Sequence, residues 1–182
     1  MIQLIVSDEI MLKQLEETDA KAIFSIIDSQ REYLGRWLPF VAGTKTVDDT
    51  LAFIRSVNET PEFFQELVFC IHYQNEFAGL IGLKFNPLDK VNKRTEIGYW
   101  LSEPFQKKGI VTQSARMLME YAFDKLELNR IVIKCASGNQ LSRNIPERLG
   151  FSHEGTERDG ERFSDGHFVD LEVYSFLNKE WK

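Results

Sequence analysis

Residues 94–126 hold the feature that most limits how this chain folds. A strand signal runs into a polar turn with a glycine, and the turn opens at once onto an amphipathic helix. Thr95-Glu96-Ile97-Gly98-Tyr99-Trp100-Leu101 is rich in β-branched and aromatic residues, the composition of a strand. Val111, Ala115, Leu118, Met119, Ala122, Phe123 and Leu126 then recur at helical spacing and form one apolar stripe. Between them lies Glu103-Pro104-Phe105-Gln106-Lys107-Lys108-Gly109-Ile110-Val111-Thr112. A turn of this kind leaves backbone N–H groups unpaired at the positive end of the helix dipole, a seat for a phosphate-bearing ligand. A purely structural turn uses the same glycine, so the segment alone does not decide. Spacing excludes two common phosphate sites: there is no G-x-x-x-x-G-K-[ST] and no G-x-G-x-x-G followed by an acidic residue at ribose distance.

The rest of the chain alternates strand and helix signals without a repeat, low-complexity run or Pro/Ser-rich linker, so residues 1–182 read as one domain. Ile10 to Leu15 reads as the first strand, and Thr18-Asp19 as the cap of a helix carrying Ile23, Phe24, Ile26 and Ile27. Arg31 to Phe40 is aromatic and irregular, closed by Pro39. Thr46-Val47-Asp48-Asp49 begins a second helix with capping-box spacing. Leu67–Tyr73 and Phe77–Phe85 flank Gln74-Asn75-Glu76 as a hairpin, and Arg94–Leu101 pairs next. Arg130–Ala136 is a buried strand. Phe151–Arg158 and His167–Phe176 read as a last hairpin turning at Asp159-Gly160-Glu161. Paired strands with helices between them predict an α+β (mixed α/β) domain with a mostly antiparallel twisted sheet of six to seven strands.

Bulk properties narrow the function classes. The net charge of −6 disfavours nucleic acid and suits a cationic partner, although mild acidity also simply keeps a protein in solution. No apolar run approaches the ~20 residues of a membrane helix. The N-terminus Met1-Ile2-Gln3-Leu4 lacks a basic region and cleavage site, which points to the cytoplasm. Cys70 and Cys135 sit in apolar strands as reduced thiols, and three scattered histidines predict no metal site. Phe163 and Phe168, read as exposed, hint at a homo-oligomer or a substrate lid.

A second block follows the strand at 130–136: Asn139, then Ser142, then a short helix ending in Gly150-Phe151. With Gln106 and Gly109 meeting the pattern [QR]-x-x-G-x-[GA], the two blocks resemble motifs B and A of the GNAT superfamily of acetyl-CoA-dependent N-acetyltransferases. Ile97-Gly98-Tyr99-Trp100-Leu101, Asp170 and Glu180-Trp181 further resemble the subgroup that acetylates ribosomal-protein N-termini. The resemblance spans nearly the whole chain. It implies a single GNAT-like domain, acetyl-CoA as co-substrate and an amine acceptor. That acceptor is a protein N-terminal α-amine, or a polyamine or other small amine; a non-catalytic acyl-CoA sensor is the alternative from another class.

By that resemblance the backbone of Tyr99, Trp100 and Leu101 pairs with the pantetheine arm. The amides of Gln106, Lys107, Lys108, Gly109, Ile110, Val111 and Thr112 hold the pyrophosphate. Asn139 bonds the pantetheine arm, and Asn144 and Arg148 reach the coenzyme. Glu96 is the preferred base; period-two alternation puts it on one face with Gly98 and Trp100. The alternative for Glu96 is an exposed glutamate paired with a neighbouring cation. Ser142 protonates the thiolate or merely caps its helix. Tyr33 and Trp37 line the acceptor cleft or pack the core, and His72, His153 and His167 read as strand-face residues. Val111, where the motif has Gly or Ala, is expected to crowd the turn. Pro146 leaves two starts for the motif B helix, with Ser142 or with Asn144 as cap.

Overall fold

The computed structural model describes residues 2–59, 66–86, 88–89 and 91–181. Its strands are β1 (Gln3–Ile5), β2 (Ile10–Gln14), β3 (Leu67–Tyr73), β4 (Glu76–Lys84), β5 (Arg94–Leu101), β6 (Arg130–Ala136), β7 (Ser152–Arg162) and β8 (Phe168–Leu177). Its helices are α1 (Ala20–Ser29), α2 (Arg31–Gly35), α3 (Val47–Glu59), α4 (Ile110–Glu120), α5 (Gln140–Arg148) and α6 (Asn178–Trp181). One sheet runs β1-β2-β3-β4-β5-β6-β8-β7, with every neighbouring pair antiparallel except β5 and β6. The eighth strand beyond the expected six to seven is β1, three residues too short for alternation to register.

Alternation along β5 sends Ile97 to a core beneath α4 and α5, and Trp100 to a second core beneath α1 and α3. The sheet is therefore covered on both faces. In the first core Leu118, Met119, Ala122 and Phe123 are nearly solvent-free, and the stripe continues past α4 through a π-helical turn at Tyr121–Lys125. Trp181 of α6 closes that core against Phe123 and Phe176. No helix among the described residues is long and apolar enough to cross a membrane.

Several local expectations hold for the expected reason. Thr46 N–H donates to Asp49 Oδ2 at 2.8 Å and Asp49 N–H to Thr46 Oγ1 at 3.3 Å, the reciprocal cap that starts α3. Gln74 and Asn75, at φ 50° and 69°, make the tight turn between β3 and β4. Others are corrected. The expected cap is half met: Asp19 holds the cap position of α1 without a side-chain cap bond, and a 3-10 turn, Glu17–Asp19, precedes the helix, with Glu16 and Asp19 rather than Thr18 forming its capping box. Arg31–Phe40 is not irregular: it holds α2, and Pro39 opens a 3-10 turn, Pro39–Ala42. The last hairpin turns at 163–167, where Phe163 N–H donates to His167 O at 2.9 Å. Asp159-Gly160 is instead a bulge between Glu157 and Glu161, held by Asp159 N–H donating to Asp170 Oδ1 at 2.8 Å. Phe163 is buried and stacked on His167, so of the two aromatics read as exposed only Phe168 is.

Candidate active site

β5 and β6 stay together at only Arg94↔Arg130, Thr95↔Ile131 and Glu96↔Val132. Beyond that point β5 runs on to Leu101 paired with β4 alone, and β6 to Ala136 paired with β8 alone. The strands part in a V. Backbone groups of β5 that face the gap lack a strand partner, and such a gap suits an extended, amide-bearing ligand that completes the ladder.

The glycine turn lies at the open end of the V. A 3-10 turn, Glu103–Phe105, leads into Lys107 at φ 62° and Gly109 at φ 75°. A left-handed φ is free for glycine but costs roughly 1–2 kcal/mol with a Cβ present. The first bond into α4 is Gln113 N–H to Gly109 O at 3.0 Å. The amides of Ile110, Val111 and Thr112 ahead of it have no partner inside the helix, and no side chain caps them. Thr112 Oγ1 is buried without a partner as well. These orphaned donors fit a diphosphate. Val111 does not crowd the turn as expected, because its side chain packs into the core with Ile110 and Ala115.

Across the gap, Asn139 is the cap of α5: its Oδ1 accepts from Ser142 N–H at 3.2 Å. Neither Ser142 nor Asn144 caps the helix, so both expected starts are replaced by one set at Asn139. Pro146 then falls inside α5 and offers no N–H to the carbonyl of Ser142. Tyr99 supplies the missing donor. Its hydroxyl donates to Ser142 O at 3.0 Å and accepts from Ser142 Oγ at 3.3 Å. Burial pushes the Tyr99 phenol up, which keeps it protonated and able to donate.

A cavity of about 260 Å³ opens between the turn, α5 and the N-terminal helices. Tyr99, Trp100 and Leu101 of β5 line it, with Gln106, Lys107, Gly109, Ile110, Val111 and Thr112 of the turn. Asn139, Ser142, Asn144 and Arg148 line the opposite wall. Two expected residues, Lys108 and Glu96, are not among the lining residues, although the Lys108 amide stays in the turn. Lys108 Nζ instead lies 4.9 Å from the Tyr73 ring centroid and 5.5 Å from that of Phe105. Glu96 sits at the apex of the V, and its side chain shares the other face of β5 with Gly98 and Trp100, away from Ser142.

Tyr33 and Trp37 are cavity walls. Gln106 Nε2 donates to the Tyr33 hydroxyl, and that hydroxyl donates to Leu101 O at 3.4 Å. Gln30 adds a clamp, donating from Nε2 to Ser102 Oγ at 2.8 Å and accepting from Glu103 N–H at 3.0 Å. The Trp37 ring covers Gly138, where a Cβ would come within 3.3 Å of it. Sequence reasoning missed Gln30 and the hydroxyl of Tyr99. Nothing local marks either, because both act on segments about 70 and 43 residues away.

Residues 9–152 match the family model described as "Acetyltransferase (GNAT) domain". The chain belongs to the GNAT acetyltransferase family. One relative of this GNAT chain is "Putative ribosomal N-acetyltransferase YdaF" of Bacillus subtilis (strain 168), 37% identical with 97% of this chain and 96% of that protein covered. "Ribosomal-protein-serine acetyltransferase" of Escherichia coli (strain K12) is 29% identical over 93% of each chain. Among solved structures, RimL, a "Ribosomal L7/L12 alpha-N-protein acetyltransferase in complex with Coenzyme A", superposes with a TM-score of 0.89 at 25% identity, covering 98% of this chain and 99% of that one. The superfamily expected from the two motifs is borne out, as is the resemblance to the ribosomal-protein subgroup expected from residues 97–101, Asp170 and Glu180-Trp181, and the protein is an N-acetyltransferase whose co-substrate is acetyl-CoA.

The titratable groups of this GNAT domain divide sharply. Burial raises the Glu96 carboxyl above the usual range; Lys84 and Lys134 pull against that, and Glu157 and Glu161 reinforce it. His153 Nε2 pairs with Glu172 Oε2 at 2.6 Å, His167 Nδ1 with Asp165 at 2.5 Å, and none of the three histidines lines the cavity. Burial lifts the Cys135 thiol to about 11 and Cys70 further still, so both stay protonated. Among the described residues no cluster of His, Cys, Asp and Glu could hold a metal ion.

Proposed function

We propose that residues 1–182 act as one cytoplasmic domain that moves an acetyl group from acetyl-CoA to the N-terminal α-amine of a protein, in a ternary complex. One observation carries this reading: the gap between β5 and β6 leads straight to the uncapped amides of α4. An extended amide-bearing arm ending in a diphosphate matches that path. Lys107 and Arg148, which both line the cavity, add positive charge beside it. The names of the relatives support the acceptor class.

When bound, acetyl-CoA supplies an activated thioester. The amine nitrogen forms its bond to the carbonyl carbon as the C–S bond breaks, the amine loses a proton and the sulfur gains one. Backbone N–H groups of β5 facing the gap stabilise the developing oxyanion, a contribution of about 3 kcal/mol for each donor in comparable sites. The two faces of β5 then divide the proton work. Glu96 takes the amine proton through water from one face, its raised pKa bringing it closer to the working pH. Ser142, held by Tyr99, gives a proton to sulfur from the other.

Thiol release from acetyl-CoA, followed with N-terminal peptides, spermidine and an aminoglycoside as acceptors, tests the proposal. Release with peptides above all other amines is the expected result. Coenzyme binding with no transfer to any amine would replace the enzyme with an acyl-CoA sensor.

A further inference from the structure

We infer that a second cavity, on the opposite face of β5, takes an apolar side chain from the first two residues of the acceptor polypeptide. The inference rests on the acetyl-transfer reading above. This cavity measures about 270 Å³. Its floor exists because Gly82 of β4 and Gly98 of β5 stand directly opposite each other, so the sheet carries no side chain there. Ile23 and Ile27 of α1 and Phe53 of α3 wall it, with Phe40 at its rim; Phe40 and Phe53 are 44% and 42% exposed. Such open aromatics beside an apolar cavity mark a surface that a ligand covers.

Three further features bear on the occupant. Thr50 of α3 lines the cavity, is 3% exposed, and its Oγ1 has no hydrogen-bond partner. A buried hydroxyl left unpaired fits a backbone group arriving with the ligand. Leu38, Tyr99 and Trp100 line both cavities, so a chain seated here has its amine beside the end of the V. Charge argues against a polyamine. Among the described lining residues Glu66 and Lys84 are the charged ones, one of each sign. The Lys84 chain lies over the floor, its Cε and Nζ 3.0 and 3.3 Å from where a Cβ on Gly98 would stand. Among the described lining residues a multiply cationic acceptor meets that ammonium and a single carboxylate, Glu66.

Calorimetric titration of the CoA-loaded protein with peptides carrying Gly or Leu at position one or two, and with spermidine, tests this. Initial rates of thiol release with acetyl-CoA accompany it. A leucine at one of the two positions should improve affinity and kcat/KM at least about tenfold over glycine, and over spermidine. Phe53→Ala, at an exposed position, and Gly98→Ala, whose new Cβ meets only the movable end of Lys84, should each erase most of that preference while CoA binding is kept. Should Gly98→Ala lose CoA binding, Phe53→Ala decides. Acetylation of peptides with no dependence on these positions, or a preference for spermidine, overturns the inference. Selective peptide binding without transfer upholds the cavity's role and refutes the acetyl-transfer reading instead.

Discussion

Replacing Tyr99 by phenylalanine removes one oxygen, and the structure says what that oxygen holds. Pro146 denies the Ser142 carbonyl its helical donor, and the Tyr99 hydroxyl takes that place at 3.0 Å. The bond is part-buried, and leaving such a carbonyl unpaired costs about 1 kcal/mol, the low end of the range for buried acceptors. In a protein of this size that lowers Tm by roughly 2–4 °C for each kcal/mol. Pro146→Ala restores an N–H at position 146, so in that background the phenol is redundant. The two changes should therefore couple. Tyr99→Phe is expected to cost less in the Pro146→Ala protein than in the parent, by on the order of 1 kcal/mol, with any entropy or volume effect of Pro146→Ala alone cancelling in the cycle. Urea unfolding of the four proteins, followed by tryptophan fluorescence, measures it. Strict additivity would refute the argument that the tyrosine compensates for the proline.

Gly109→Ala should weaken coenzyme binding by at least tenfold and lower stability by about 1–2 kcal/mol, because the φ of 75° is strained with a Cβ; calorimetry and a thermal melt read the two effects. Ser142→Ala is expected to lower kcat about tenfold or more, with CoA affinity kept, in a steady-state assay. For Glu96 the sign follows from burial. Its folded pKa lies above the ordinary 4.5, so its contribution to stability is full below pH 4.5 and is lost as pH rises through the folded value. Glu96→Gln should abolish that loss in pH-dependent melts and remove the rise of kcat/KM with pH. Glu154 runs the other way: Arg130 and Ser175 hold it at about 2, so its stabilisation is present above pH 4.5 and fades as pH falls towards 2. Arg130→Ala should raise the midpoint of acid unfolding, and added salt should shrink the difference.

The parts of this protein readable from sequence are those whose cause is local. The hairpin at 67–84 follows from two residues that tolerate left-handed φ, and α3 from a threonine and an aspartate three apart. The turn at Gly109 is local too, which is why the residues around it met in one cavity. Asp159-Gly160 misled because a bulge and a turn draw on the same composition, and only pairing with β8 tells them apart. The cap of α5 misled because three polar residues within six positions all suit the role, and the fold selects the one at the strand end. Alternation gave the face of Glu96 correctly. It gave no sign that the cavity lined by Ser142 lies behind the other face, since which helices cover which side is decided by packing. Lys108 shows the same limit, because the rings that attract it come from β3 and from the preceding turn.

Within the sheet, three residue pairs of β5 and β6 join the first five strands to the last three. The sheet thus has a crease down its middle, and a guest molecule lodged there works as a splint between two flaps. Whatever fills that crease at a hundred times its Kd adds about 2.7 kcal/mol to the fold, which makes the empty protein the softer one along a predetermined line.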